Sequence, residues 1–148
     1  MLPEHELVFL DTSILVAYIR ANKLANLIES KYKLKTRSSR PLICVVTVGE
    51  MWSLTRQFGW GQDKCEQLKQ LLQELVVVDI NSEDILSRYA EIDYNLLNAK
   101  PAKTIGKNDM WIAATASAAN AFLITTDKDF RHIDNQLLKL IWIDETEI

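Results

Sequence analysis

Glycine and proline are scarce, four and three residues in 148, which excludes a collagen-like, linker-rich or low-complexity chain. Cysteine is scarcer still. Cys44 and Cys65 lie far apart, no CxxC occurs and neither has a histidine at ligand spacing, which argues against a structural zinc site. Two unpaired cysteines suit a reducing cytoplasm, where each serves packing. No apolar stretch approaches the ~20 residues that span a bilayer, and Met1-Leu2-Pro3-Glu4-His5-Glu6 lacks the positive n-region of a signal peptide. The expectation is a cytoplasmic protein with no membrane partner. Positive charge is not in excess either: 17 Lys+Arg against 20 Asp+Glu leave a net charge of −3, unlike a non-specific nucleic-acid coat protein. A nuclease stays open, because bound divalent cations invert the sign of a carboxylate-rich site.

What is present matches an ordinary globular domain: 48% hydrophobic and 25% charged residues. At roughly 100–200 residues per domain, residues 1–148 form one domain. A chain of this length buries about 68–70% of its unfolded surface, enough for a core without staples.

Leu7-Val8-Phe9-Leu10 reads as a strand ended by Asp11-Thr12-Ser13, after which Ile14, Leu15, Tyr18 and Ile19 recur at helical spacing. A second helix covers Asn22 to Tyr32, followed by a basic stretch from Lys31 to Arg40. Leu42 to Val46 is a continuous apolar run, as in a strand covered on both faces. Thr47 opens a helix that breaks at Gly59-Trp60-Gly61, and another spans Asp63 to Leu75. Val76 to Ile80 is a third strand, and Ser82 caps a long amphipathic helix to about Asn98. A Lys-rich loop, Ala99 to Lys107, leads to Asn108 as cap of an Ala-rich helix, Asp109 to Ala119. Phe122 to Thr125 is the fourth strand, Thr126 to Ile133 a turn, and Leu140 to Ile143 the fifth strand. Strands alternate with helices throughout, which predicts an α/β sandwich around a mainly parallel sheet of about five strands.

Four acids stand out, and each has a structural explanation of its own. Asp11 follows the first strand and can cap the next helix, with Thr12 and Ser13 as rivals. Glu50 closes Thr47-Val48-Gly49-Glu50, which matches a capping box. Asp109 lies in a first helical turn, where negative charge suits the macrodipole. Asp127 lies in a turn-like sequence. Their address unites them. In right-handed βαβ units the helices run antiparallel to the strands, so strand carboxyl ends and helix amino ends share one edge of the sheet. All four acids fall on that edge, where open α/β sheets bind ligands. Converging carboxylates without cations repel one another. A hard divalent ion, Mg²⁺ or Mn²⁺, offsets that repulsion, and it can acidify water and clamp a phosphate oxygen.

The segments Phe9 to Leu15, the Glu50 helix, Gly106 to Ala116 and Leu123 to Phe130 together resemble the PIN-domain family, most nearly its VapC toxins from bacterial toxin–antitoxin pairs. The resemblance spans essentially the whole chain, and the Asp109 motif is its most specific part. It implies a single three-layer PIN-like domain with helices flanking the sheet. It also implies that Asp11, Glu50, Asp109 and Asp127 are the acidic quartet that binds Mg²⁺ or Mn²⁺ and cuts RNA. Asp129 is a second candidate for the fourth acid. A homodimer and a cognate antitoxin follow from the same resemblance, and the helices Ala21 to Tyr32 and Met51 to Phe58 carry apolar surface for an antitoxin groove.

Other residues carry less. His132 reads as a surface or supporting residue and His5 as solvated. Lys100, Lys103, Lys107, Lys128 and Arg131 lie close in sequence to the acidic edge and can meet phosphates. Trp52, Trp111 and Trp142 fit apolar patterns of core or interface, whereas Trp60, between two glycines, is the one candidate for base stacking. Two other functions compete with the ribonuclease. One is an inactive PIN module that binds RNA or a protein partner; the other is a receiver-type phosphoacceptor domain. A receiver needs an acidic pair just after the first strand, whereas Asp11 is followed by Thr12 and Ser13.

Overall fold

The five apolar runs form five short strands: β1 (Val8–Leu10), β2 (Leu42–Cys44), β3 (Val76–Val78), β4 (Phe122–Thr125) and β5 (Lys139–Trp142). A computed structural model describes residues 2–148. Met1, where the expected N-terminal segment and the expected domain begin, lies outside the described residues. The strand order is β3-β2-β1-β4-β5, and every neighbouring pair is parallel, so the sheet is wholly rather than mainly parallel. The chain builds outward from β1 to β3, then returns to the other side of β1. The topological switch therefore falls between β1 and β4, the point at which such sheets bind ligands.

Six helices complete the layers: α1 (Thr12–Arg20), α2 (Lys23–Tyr32), α3 (Val45–Gln57), α4 (Gln62–Gln73), α5 (Glu83–Leu97) and α6 (Lys107–Ala118). Alternation along β1 sends its side chains to opposite faces. Val8 and Leu10 join Ile14, Ile28, Met51 and Leu68 in one core, built largely from α1 to α4. Phe9 joins Ile92, Ile112, Ala113 and Phe130 in the other, built largely from α5 and α6. The small residues of α6 let it approach closely: Ala113, Ala114 and Ala116 are fully buried.

Several boundaries differ from expectation, each for a local reason. The second strand stops at Cys44, because Val45 and Val46 turn into the first turn of α3 with extended Cys44 as its N-cap. Thr47 is consequently the third residue of α3, and the expected capping box is out of register. Helix α6 starts at Lys107 with Gly106 as N-cap, so Asn108 is a first-turn residue and not the cap. Ser82 is the N-cap of α5, yet its side chain makes no capping bond. The third strand ends at Val78 and the fifth runs one residue earlier than expected. The expected turn after β4 contains a 3-10 helix, Lys128–His132. The basic stretch is anchored: Leu34 is buried, and the Arg37 guanidinium donates to the carbonyls of Pro3 at 2.7 Å and Glu6 at 2.8 Å.

Candidate metal centre

Asp11 extends directly from β1 and is the N-cap of α1, accepting from the Thr12 N–H at 2.8 Å. Its second oxygen accepts from the hydroxyl of Thr125, the last residue of β4, at 2.6 Å. Asp11 is only 5% exposed, and burial pushes its carboxyl above the ordinary value, opposed by the Thr125 and Thr12 hydrogen bonds. Capping and site duty thus coincide in one residue. The β1–β4 register that pairs Leu10 with Ile124 brings Thr125 beside Asp11.

Glu50 projects from α3, one turn beyond the position a capping role requires. Its two oxygens accept from the Thr12 hydroxyl at 2.7 Å and from the Asn108 side-chain amide at 3.3 Å. The Thr12 hydroxyl also lies 3.0 Å from that of buried Thr47. Residues from α1, α3 and α6 therefore hold one carboxylate in place. Asp127, at the N-cap of the 3-10 helix, accepts from the Asp129 N–H at 2.9 Å, while its own N–H donates to the Thr125 hydroxyl at 3.0 Å. Thr125 thus bridges the first and fourth acids.

Asp109 stands in the first turn of α6, half-buried. Its carboxyl is pushed up to about 7, first by burial and then by the negative fields of Asp11, Asp127, Glu50 and Asp129. The negative fields of the other three expected acids, and of Asp129, thus all reach Asp109. None of these acids takes part in an ion pair among the described residues. Nor is any group of three or more His, Cys, Asp or Glu side chains among the described residues placed to hold a metal ion. Hydrogen bonds from Thr12, Thr125, Asn108 and the Asp129 N–H hold Asp11, Glu50 and Asp127, whereas Asp109 has no such partner among the described residues. In donor chemistry, all oxygen and without an ion-paired cation, these acids are of the kind a hard divalent ion takes together with several waters.

Four supporting residues, Thr12, Thr47, Asn108 and Thr125, were not read as part of the site from sequence. Their signal was adjacency: Thr12 follows Asp11, Asn108 precedes Asp109, and Thr125 lies two before Asp127. His132, Lys128 and Arg131 are exposed, and Arg131 stacks 4.5 Å over the Trp142 ring. Trp111 stacks on Tyr89 at 4.4 Å, and Trp142 donates to the Thr126 carbonyl at 3.1 Å, so both are structural. A groove of about 440 Å³ runs along α3 past Gly49, Glu50, Ser53 and Gln57, with Asn108 on its far wall. Of the four acids, Glu50 lines it.

Fold and site together define a three-layer, wholly parallel α/β domain with an acidic rim at its topological switch. The chain belongs to the PIN-domain family, whose model matches residues 8–136. Among solved structures it is similar to a chain of VapBC2 from Rickettsia felis, a complex bound to a DNA fragment from their promoter. That likeness has 26% identity and a TM-score of 0.75, over 93% of this chain and 99% of that one. It is also similar to a chain of VapBC-1 from nontypeable Haemophilus influenzae, at 26% identity and a TM-score of 0.70, over 92% and 97%. A chain of VapBC-5 from Mycobacterium tuberculosis, at 22% identity and a TM-score of 0.65 over 93% and 99%, shares the fold. The expected likeness to VapC-type PIN toxins is borne out. No curated protein matches the sequence. Among the described residues, no helix is long and apolar enough to cross a membrane.

Proposed function

We propose that this protein is a divalent-metal-dependent endoribonuclease, the toxin of a type II toxin–antitoxin pair, with residues 1–148 as its single nuclease domain. The family match and the likeness to VapBC chains support the nuclease and toxin parts of the reading. The observation that carries the chemistry is the field on Asp109: acids from separate segments, Asp11, Glu50, Asp127 and Asp129, act on it, and none of them is in an ion pair among the described residues. Asp11, Asp109 and Asp127 would hold Mg²⁺ or Mn²⁺, with Glu50 shared or orienting water. When bound, such an ion acidifies water and offsets charge on the phosphate.

The chain's own residues do the positioning. Thr125 and the Thr12 N–H keep the oxygens of Asp11 fixed, so that little reorganisation accompanies binding. Thr12 and Asn108 hold Glu50 against the groove where a phosphodiester backbone would lie. Exposed Lys107 and Lys128, beside Asp109 and Asp127 in sequence, offer charge to flanking phosphates without reading sequence. On this reading the working form is a cytoplasmic homodimer restrained by a cognate antitoxin. Purified protein with structured RNA and Mg²⁺ should yield cleavage that Asp109→Asn abolishes. Equal cleavage by the two proteins in EDTA would overturn the proposal.

A further inference from the structure

At the far end of α3 from its acid-bearing first turns, the chain reverses through Phe58 and Gly59, whose φ of 63° suits glycine. The reversal is held by the Trp60 N–H, which donates to the Thr55 carbonyl at 2.9 Å. Phe58 is 46% exposed, and its ring centre lies 5.6 Å from that of Trp60. The Arg20 guanidinium sits 4.7 Å over the Phe58 ring, and the Lys64 ammonium 5.3 Å from the Trp60 ring. Beside them opens a shallow cavity of about 510 Å³ lined by Trp52, Thr55, Arg56, Gly59, Trp60 and Cys65, with no carboxylate in its wall. None of Arg20, Arg56 and Lys64 enters an ion pair among the described residues.

The combination narrows the partner. Cation–π contacts place Arg20 and Lys64, and Arg20 and Arg56 also stand in the last turns of α1 and α3, where positive charge suits the helix dipole. These contacts leave Arg20, Arg56 and Lys64 without a carboxylate at ion-pair distance among the described residues, and the Phe58 ring partly in water. An apolar helix would cover the rings yet leave the charges unpaired. A single-stranded polynucleotide satisfies both, because each base stacks on an aromatic face while its phosphate meets a cation. The chain at Trp60 is held by its backbone bond and the indole packs in part against the core, which leaves its remaining edge in a fixed place.

We infer that Trp60, with Trp52, Phe58, Arg56 and Lys64, forms a base-stacking subsite for single-stranded RNA, separate from the acidic edge. The choice of RNA rests on the nuclease reading above. Arg56 follows Glu50 by six residues on α3, roughly 9 Å along the axis and well round the helix. A strand joining the two sites therefore travels roughly 20 Å, about six nucleotides at the ~3.4 Å spacing of a stacked strand. Short substrates reach only the acids.

The test uses the full chain without metal. A single-stranded RNA of about twelve nucleotides, within the usual footprint of such surfaces, should quench tryptophan fluorescence as it binds. Trp60→Ala should weaken binding about tenfold or more, Trp60→Phe should largely preserve it, and Arg56→Ala with Lys64→Ala should weaken it and flatten its salt dependence. With Mg²⁺, Trp60→Ala should raise KM for the long RNA and leave kcat and trinucleotide cleavage unchanged. If Trp60→Ala melts like wild type and the Arg56→Ala, Lys64→Ala pair binds equally tightly, the inference falls. It falls as well if Trp60→Ala alters only self-association. Asp109-dependent cleavage that ignores Trp60 defeats the subsite alone; Trp60-dependent binding without any cleavage defeats the nuclease reading alone.

Discussion

Removing one charge from the acidic edge should stabilise the metal-free fold, a sign opposite to that of most substitutions. The carboxyl of Asp109 rises from 3.8 to about 7. At ~1.36 kcal/mol per pH unit the upper bound is roughly 4 kcal/mol. Asp109 is half-buried, so solvent screening reduces this to ~1–2 kcal/mol. Against it stands the favourable charge in the first turn of α6, ~0.3–1 kcal/mol. Asp109→Asn should therefore gain ~1 kcal/mol at pH 8, or ~2–4 °C in Tm for a chain of this size. The pH course has a definite sign. The folded-state pKa lies above the unfolded one, so the wild type's share of stability from this group is full below about pH 4 and is lost as pH rises through about 7. The gap between variant and wild type should accordingly open from pH 4 to 7 and stay level above. Mg²⁺ at ~100 times its Kd should add ~2.7 kcal/mol to the wild type and nothing to the variant. Thermal melts from pH 4 to 8, with and without Mg²⁺, read all of this. A variant less stable at pH 8 by the ~0.5–2 kcal/mol of a lost cap, beside a wild type indifferent to Mg²⁺, would refute the reasoning.

Other residues give independent checks. Thr125→Val removes the hydroxyl that donates to buried Asp11; stability should fall by ~1.5–3 kcal/mol, read in urea melts, with Mg²⁺ affinity falling too. Thr12→Val frees Glu50 from its 2.7 Å hydrogen bond, so RNA cleavage should drop while Thr12→Ser retains most of it, as a gel assay would record. Arg37→Ala unties the N-terminal segment by removing charged donors to Pro3 and Glu6, costing ~2–4 kcal/mol and exposing the first residues to proteolysis. Met51→Ala empties a fully buried site and should cost ~2–5 kcal/mol in denaturant melts.

How far the sequence spoke depended on the range of each interaction. Alternation of strands with helices fixed where Asp11, Glu50, Asp109 and Asp127 would meet, because handedness and direction follow from chain order alone. Local starts were harder. Val45 and Val46 continue the apolar run of Leu42 to Cys44, and nothing in their chemistry marks the turn into α3. That two-residue offset turned Thr47 and Glu50 from an apparent capping box into a buried hydroxyl and a free carboxylate. Asn108 looked like a cap because asparagine commonly is one, yet Gly106 takes the position and Asn108 reaches Glu50 instead. The bond between Thr125 and Asp11 crosses 114 positions and depends on strand register, which no local pattern carries. The fold was thus legible from periodicity and the acids from topology, whereas the neutral residues that hold the acids became visible only in three dimensions.

Anomalous scattering from a Mn²⁺-soaked crystal tests the shared-ion claim most directly. One peak should lie among Asp11, Asp109 and Asp127, about 2.1 Å from each carboxylate oxygen it binds directly and farther from any it reaches through an ordered water, and should vanish in Asp109→Asn. A Mn²⁺ peak elsewhere on the chain, with none at this edge in the wild type, would contradict it.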